Sequence, residues 1–214
     1  MNLLNELLML NESKEKNMLG LTIGGKKITE KTKDEKWAGY VSCFDNKLTS
    51  LEYCPSKIGG DFSCSWNNLT SLEYCPSEVG KHFSCSANKL KSLEHCPSEV
   101  GEDFICSINK LISLEHCPSE VGGNFGCSDN KLKDLHNIHK QLKKMNGIFH
   151  AHKNPIESSV LGLLLIPGCK KVTLGNKQVE EILNKYLPNT RGQRAVIECQ
   201  SELIDANLED YAHL

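Results

Sequence analysis

The chain has 214 residues, 39% hydrophobic and 24% charged, with a formal net charge of -2 at pH 7. These are ordinary globular values, so a charge-extended disordered chain is excluded and a folded core of one or two domains is expected. The longest apolar run, Val160 to Ile166 with Gly162 inside it, falls far short of the ~20 residues a bilayer span requires, and no membrane segment is expected.

Residues 1–37 open with Leu3, Leu4, Leu7 and Leu8 at helical spacing, which predicts an amphipathic helix, and continue into a short Leu21-Thr22-Ile23 strand. Glu6 interrupts the apolar opening, no basic lead-in precedes it, and no small-residue cleavage site comes after it. The segment therefore reads as an N-terminal cap on the rest of the chain, not as a secretion signal.

From Asp61 the sequence repeats itself: DFSCSWNNLTSLEYCPSEVGK, HFSCSANKLKSLEHCPSEVGE and DFICSINKLISLEHCPSEVGG are three successive units of 21 residues. A related copy precedes them from Tyr40 to Gly60, a diverging one comes after them from Asn124, and a faint one survives around Ile148 to Ile156. Residues 38–158 thus hold about six turns. In the first of the three regular units the apolar positions are Phe62, Cys64, Leu69, Leu72, Cys75 and Val79. The Phe-x-Cys step has the period of a strand with one buried face, and the later spacing suggests a looser return arc. One unit cannot enclose its own apolar side, so the units must stack. Stacking places Phe62, Phe83, Phe104, Phe125 and Phe149 in one buried row. It also puts Asn46, Asn67, Asn88, Asn109, Asn130 and Asn154 at one bend, where an inward amide can satisfy backbone groups.

Nine of the eleven cysteines form two ladders of the same period, Cys43 to Cys127 and Cys54 to Cys117. That regularity belongs to a repeat and not to disulfide staples. Without a secretion signal the thiols are expected to be reduced, small hydrophobes, in a cytoplasmic protein.

The phrase Phe-x-Cys-x-x-Asn-x-Leu-x-x-Leu resembles the leucine-rich-repeat signature. The short unit with Pro55, Pro76, Pro97 and Pro118 is similar to the bacterial class, and more so to leucine-rich-repeat proteins of large tailed bacteriophages. Those share the Leu-Thr-Ser-Leu-Glu-x-Cys-Pro and Val-Gly-Gly-x-Phe-x-Cys phrases. The resemblance covers roughly residues 38–158. It implies an α/β solenoid, a horseshoe with a concave parallel β-sheet; a phage source would place the protein in the host cytoplasm with a bacterial host protein as partner. Two departures are Phe in place of the usual aliphatic residue, and a fifth turn of 24 residues between Asn130 and Asn154.

In residues 159–214 the pattern turns helical after Pro167. Val179, Ile182, Leu183 and Leu187 mark one helix, and Ala195, Ile197, Leu203, Ile204 and Leu208 a second, separated at Pro188. They are expected to form a C-terminal helical cap over the exposed end of the solenoid, with an independent helical hairpin as the alternative.

Cysteines stacked one per turn lie ~4.8 Å apart in a line, whereas zinc requires ligands converging at ~2.3 Å on one point. Tyr53 and Tyr74 break the series that His95 and His116 begin, so no metal or other cofactor is expected. No phosphate-cradling or hydrolase motif is present. Cys199, within an apolar helical face, reads as a packed thiol, and a small Cys-dependent enzyme is the lesser alternative.

The side chains alternating with Phe and Cys must face outward, and unlike the core they change from turn to turn. They give Asp61, Ser63, Ser65 and Trp66, then His82, Ser84, Ser86 and Ala87, then Asp103, Ile105, Ser107 and Ile108. Exposed aromatic and aliphatic groups ringed by polar ones are what protein interfaces use. Phe44, Trp66, Ile105 and Ile108, with Asp61, His82 and Asp103, are therefore the expected protein-binding residues. Neutral variation on a tolerant surface is the competing explanation. Six strands give a face of roughly 450–500 Å², below the ~800 Å² per partner of a standard interface, so flanking elements must contribute. Segment charges of -5 for residues 1–130, +8 for 131–194 and -5 for 195–214 nominate the basic flank, Lys131 and Lys133 foremost. The expected function is non-enzymatic docking on a protein. Nucleic-acid binding through residues 131–194 is the alternative, weakened by the scarcity of aromatics there.

Overall fold

The computed structural model describes residues 16–187 and 193–214. The N-terminal helix expected at Leu3 to Leu8 and the break at Pro188 lie outside the described residues. A hairpin, β1 (Thr22–Ile23) with β2 (Lys26–Lys27), opens the described chain. Each coil then contributes a pair of two-residue strands: β3 (Lys36–Trp37) and β4 (Val41–Ser42), β5 (Lys57–Ile58) and β6 (Phe62–Ser63), β7 (Glu78–Val79) and β8 (Phe83–Ser84). The series continues with β9 (Glu99–Val100) and β10 (Phe104–Ile105), then β11 (Glu120–Val121) and β12 (Phe125–Gly126). A helical turn α1 (Ile138–Gln141) precedes β13 (Lys144–Met145) and β14 (Gly147–His150); β15 (Cys169–Thr173) and the helices α2 (Lys177–Tyr186) and α3 (Gln193–Asp205) complete the chain.

The odd-numbered strands from β3 to β13 form a six-stranded parallel sheet; the even-numbered ones from β4 to β14, with β15 at the end, form a seven-stranded parallel sheet. The molecule is a β-solenoid of about seven turns. Two sheets line it where the sequence predicts one, because the second strand offers a single inward residue per coil. Ile58, Val79, Val100, Val121 and Met145 point inward there, too short a run to show a two-residue period.

Packing agrees closely with the stacking argument. Phe62, Phe83, Phe104, Phe125 and Phe149 are in register and buried, with successive ring centroids 5.1–5.5 Å apart. The asparagine row satisfies the backbone at the bend. Asn88 Nδ2 donates to the carbonyls of Cys64 (3.0 Å) and Cys85 (3.1 Å), and its Oδ1 accepts from Leu69 N–H (3.0 Å). Asn67, Asn109, Asn130 and Asn154 repeat the arrangement, so each amide ties its own coil to the one before. Such buried polar groups stabilise only when fully satisfied, as these are.

Where the two sheets meet, the middle coils carry glycine, and the sixth carries Asn146 in the register of Gly122. A Cβ on Gly80, Gly101 or Gly122 would lie 2.3, 2.0 or 1.9 Å from the carbonyl oxygen of the preceding coil's glycine. The first coil carries Ala38 at this position.

The stretched fifth turn keeps its register: Glu120 and Val121 pair with Lys144 and Met145 as their predecessors pair with each other. The extra residues are taken up by α1 on the return arc. Beyond it, Cys169–Thr173 is a strand of the larger sheet where the sequence predicts only helix after Pro167. Val172 takes the register of Phe149, and Leu174 fills the inward position two residues on. The outer edge of β15 is closed by side chains of α2. Asn184 accepts from Val172 N–H (2.8 Å) and donates to its carbonyl (3.0 Å), while Glu180 accepts from the N–H groups of Leu174 and Gly175. An edge whose polar groups are filled in this way cannot template another strand.

Candidate functional site

On the outer face of the phenylalanine sheet, the residue just before each strand forms a ladder of its own. Asp61 Oδ1 accepts from His82 N–H (3.2 Å), His82 Nδ1 from Asp103 N–H (3.3 Å), Asp103 Oδ1 from Asn124 N–H (2.6 Å), and Asn124 Oδ1 from Ile148 N–H (2.8 Å). His82 Nε2 lies 2.6 Å from Glu102 Oε2, and Nδ1 lies 3.5 Å from Asp103 Oδ2. Asp61, His82 and Asp103 are thus engaged in holding successive coils. Asn124 is the member that sequence reasoning passed over, although its repeat position matches theirs.

The middle of the face is mostly hydroxyl. Ser63, Ser65, Ser84 and Ser86 hydrogen-bond to one another, and further along Ser128 meets His152 Nδ1 at 2.9 Å. Ile105, half-buried, leans over Gly126: a Cβ there would come within 3.0 Å of the Ile105 Cδ1. Its bulk fills the hollow that the glycine leaves.

The far margin is different. Phe44, Trp66 and Ile108 are 51%, 59% and 49% exposed, and the Phe44 and Trp66 rings approach to 6.4 Å between centroids. Trp66 and Ile108 occupy the residue before the bend asparagine, where every coil passes through left-handed backbone; their φ angles are +58° and +57°. That conformation is costly for a β-branched residue, which makes isoleucine an unfavourable choice there on local grounds. Asp45, Ala87, Asp129 and Lys153 share this backbone in the other coils, so it comes with the repeat, and the exposed apolar side chain is what sets Trp66 and Ile108 apart.

Just past the bend comes a row that sequence reasoning missed. Lys47, Lys89, Lys110 and Lys131 stand one per coil except at Asn68, all exposed, and Lys91, Ile112 and Lys133 form the next row. Ile112 is 70% exposed. The 21-residue spacing was the available signal for both rows. Lys131 and Lys133 therefore share a margin with Trp66 and Ile108, whereas Asp61, His82 and Asp103 lie across the sheet, about five residues or ~16 Å away. The remaining basic residues of the 131–194 flank are dispersed. Lys144 belongs to the valine sheet, 3.8 Å from Glu120, and Lys170 and Lys171 lie in β15.

All eleven cysteines are free. Burial pushes the thiols of Cys43, Cys85, Cys117, Cys169 and Cys199 up to about 12 and raises the other six as well. Cys199 sits inside with Val196 and Leu203 on the buried face of α3, one position out of phase with the expected Ile197 and Ile204, which are exposed. A thiol held protonated in this way is a poor nucleophile. Among the described residues, no His, Cys, Asp or Glu side chains converge as a metal-ligand set, and no helix is long and apolar enough to cross a membrane.

Comparison with known proteins returns no matching family model, no similar curated protein and no similar solved structure.

Proposed function

We propose that this solenoid is a leucine-rich-repeat protein of the short bacterial and phage type, acting without catalysis as a module that docks on another protein. The docking margin is the apolar pair Trp66 and Ile108, with Phe44 one position away beside Trp66, bordered by the lysine rows that include Lys131 and Lys133. One observation carries the reading: Trp66 and Ile108 combine exposure with left-handed backbone. Neither packing nor propensity favours those residues there, while an interface anchor would. The phage resemblance extends the proposal to a bacterial partner in the host cytoplasm. The lysines favour a partner with an acidic rim, since opposite charges at a rim speed encounter and set orientation. On this reading the helices α2 and α3 serve as the C-terminal cap, and the 131–194 lysines contribute only where they reach the margin.

Affinity capture from a bacterial lysate with the parent chain and with Trp66→Ala and Ile108→Ala tests it. A protein retained by the parent and lost by both variants is the expected result. Capture unchanged by both substitutions overturns the margin as the docking surface. Steep salt-dependent binding of a DNA or RNA fragment, lost on Lys131→Ala and Lys133→Ala, would replace it with the nucleic-acid reading.

A further inference from the structure

The glycine column has a second effect besides close packing: it leaves a strip without side chains along the corner between the two sheets. Gly59, Gly80, Gly101 and Gly122 are all exposed there. A trench of about 920 Å³ runs along the strip, from Trp37 and Ala38 in the first coil to Pro167 and Gly168 near the last. Its floor is backbone and the edges of Ile58, Val79, Val100 and Val121. Six coil steps of ~4.8 Å make it ~29 Å long, which matches about nine residues of extended chain.

One lip of the trench is set by the outward residues of the valine sheet, in the order Lys36, Lys57, Glu78, Glu99, Glu120, Lys144. Lys57 is paired with Glu78, and Lys144 lies 3.8 Å from Glu120. Among the described residues, no cation lies within 4.0 Å of Glu99, and its in-register neighbours on both sides are carboxylates. Like charges directly opposite in a sheet destabilise it. The middle of an otherwise apolar groove is therefore negative and unneutralised, between the Lys144–Glu120 pair at one end and, at the other, the Lys57–Glu78 pair with Lys36 beyond it.

We propose that this trench binds an extended peptide segment with an arginine or lysine at its middle, the cation seated beside Glu99 and small side chains against the glycine floor. Straightness and length select an extended chain; the single unneutralised carboxylate in the centre selects the cation. The site lies on the valine-sheet corner and is independent of the Trp66 margin.

The test uses the isotope-labelled full chain and two synthetic nonapeptides, acetyl-Ala-Gly-Ala-Gly-Arg-Gly-Ala-Gly-Ala-amide and its counterpart with Glu for Arg. The backbone amide signals of Gly80, Gly101 and Gly122 should move saturably with the Arg peptide. Glu99→Gln should weaken this about three- to fivefold, in line with one exposed charge contact, and Trp66→Ala should leave it unchanged. Equal response to the Glu peptide, shifts that map away from the glycine column, or an undiminished response in Glu99→Gln would overturn the proposal. So would movement of the same signals with protein concentration alone, or with calcium chloride alone, which would make the trench a self-association face or a cation site.

Discussion

The two sheets solve the same interior problem and differ on their outer faces. Inside, one sheet presents a Phe row followed by a Cys row, and the other a single row of Ile, Val and Met that begins at Trp37. Outside, the phenylalanine sheet carries Ser42, Ser63 and Ser84 at three successive coils and then changes to Ile105, Gly126 and His150. The valine sheet holds Glu at three successive coils and varies only in the sign of its charge. The constancy of Glu78, Glu99 and Glu120 has nothing to do with burial, since all three are exposed. Sameness between repeats therefore marks a position's place in the unit, and only chemistry tells whether it faces core or water.

Alkali should have the largest effect, and it acts through the buried cysteine rows. The row from Cys43 to Cys127 lies behind the phenylalanine sheet, and the valine strands contain no cysteine. Every thiol is raised above its ordinary value of 9.0 by burial, so unfolding releases protons above that pH. The folded pKa exceeds the unfolded one; stability is therefore complete below pH 9 and lost as the pH climbs toward about 12. Each of Cys43, Cys85, Cys117, Cys169 and Cys199 costs about 1.4 kcal/mol per pH unit within that window. Urea midpoints should be flat from pH 7 to 8 and fall steeply by pH 10. A flat profile to pH 10 would show that the thiols are not buried as described.

Next in size are the interior rows themselves. Phe104→Ala should cost about 3–5 kcal/mol, and Val100→Ala in the neighbouring sheet about 1.5–2 kcal/mol, both read from denaturant unfolding. Equal losses would mean that the rings do not form the main stack. At the corner, Gly101→Ala should cost about 3 kcal/mol because its methyl meets a carbonyl. Gly39→Ala, which meets nothing within 4 Å, serves as the control.

Asn88→Ala removes the partner of three carbonyls and one N–H and should cost about 2 kcal/mol. The smallest effect has the opposite sign. Ile108→Asn should raise stability by about 1 kcal/mol, since Asn tolerates left-handed backbone, and should weaken partner capture at the same time. A destabilised Ile108→Asn would remove the argument that the isoleucine is kept against its local cost.

The parts of this architecture legible in the sequence are those that are both buried and periodic. Phe62 to Phe149 and Asn67 to Asn154 announce themselves through residue type and spacing. The strand at Glu78–Val79 does not, because one inward residue per coil carries no alternation. The seventh turn was hidden by substitution, with Val172 and Leu174 standing where Phe and Cys would be, and the α1 insertion by the loss of the Cys-Pro-Ser phrase. For the candidate site, Phe44, Trp66 and Ile108 were legible as outward apolar residues. The engagement of Asp61, His82 and Asp103 with the next coil's N–H groups was not, since a side chain reaching across 21 residues leaves no local trace.

Because each bend amide reaches only to the adjacent unit, the molecule can be lengthened or shortened by whole units without remaking any joint. Excising residues 83–103 would join His82 to Phe104 and bring Trp66 and Ile108 from two steps apart, ~9.6 Å, to one step, ~4.8 Å. The count of units thus acts as a ruler. A lineage carrying this fold can reset the spacing between its contact residues by gene duplication or deletion, leaving each contact residue's own setting untouched.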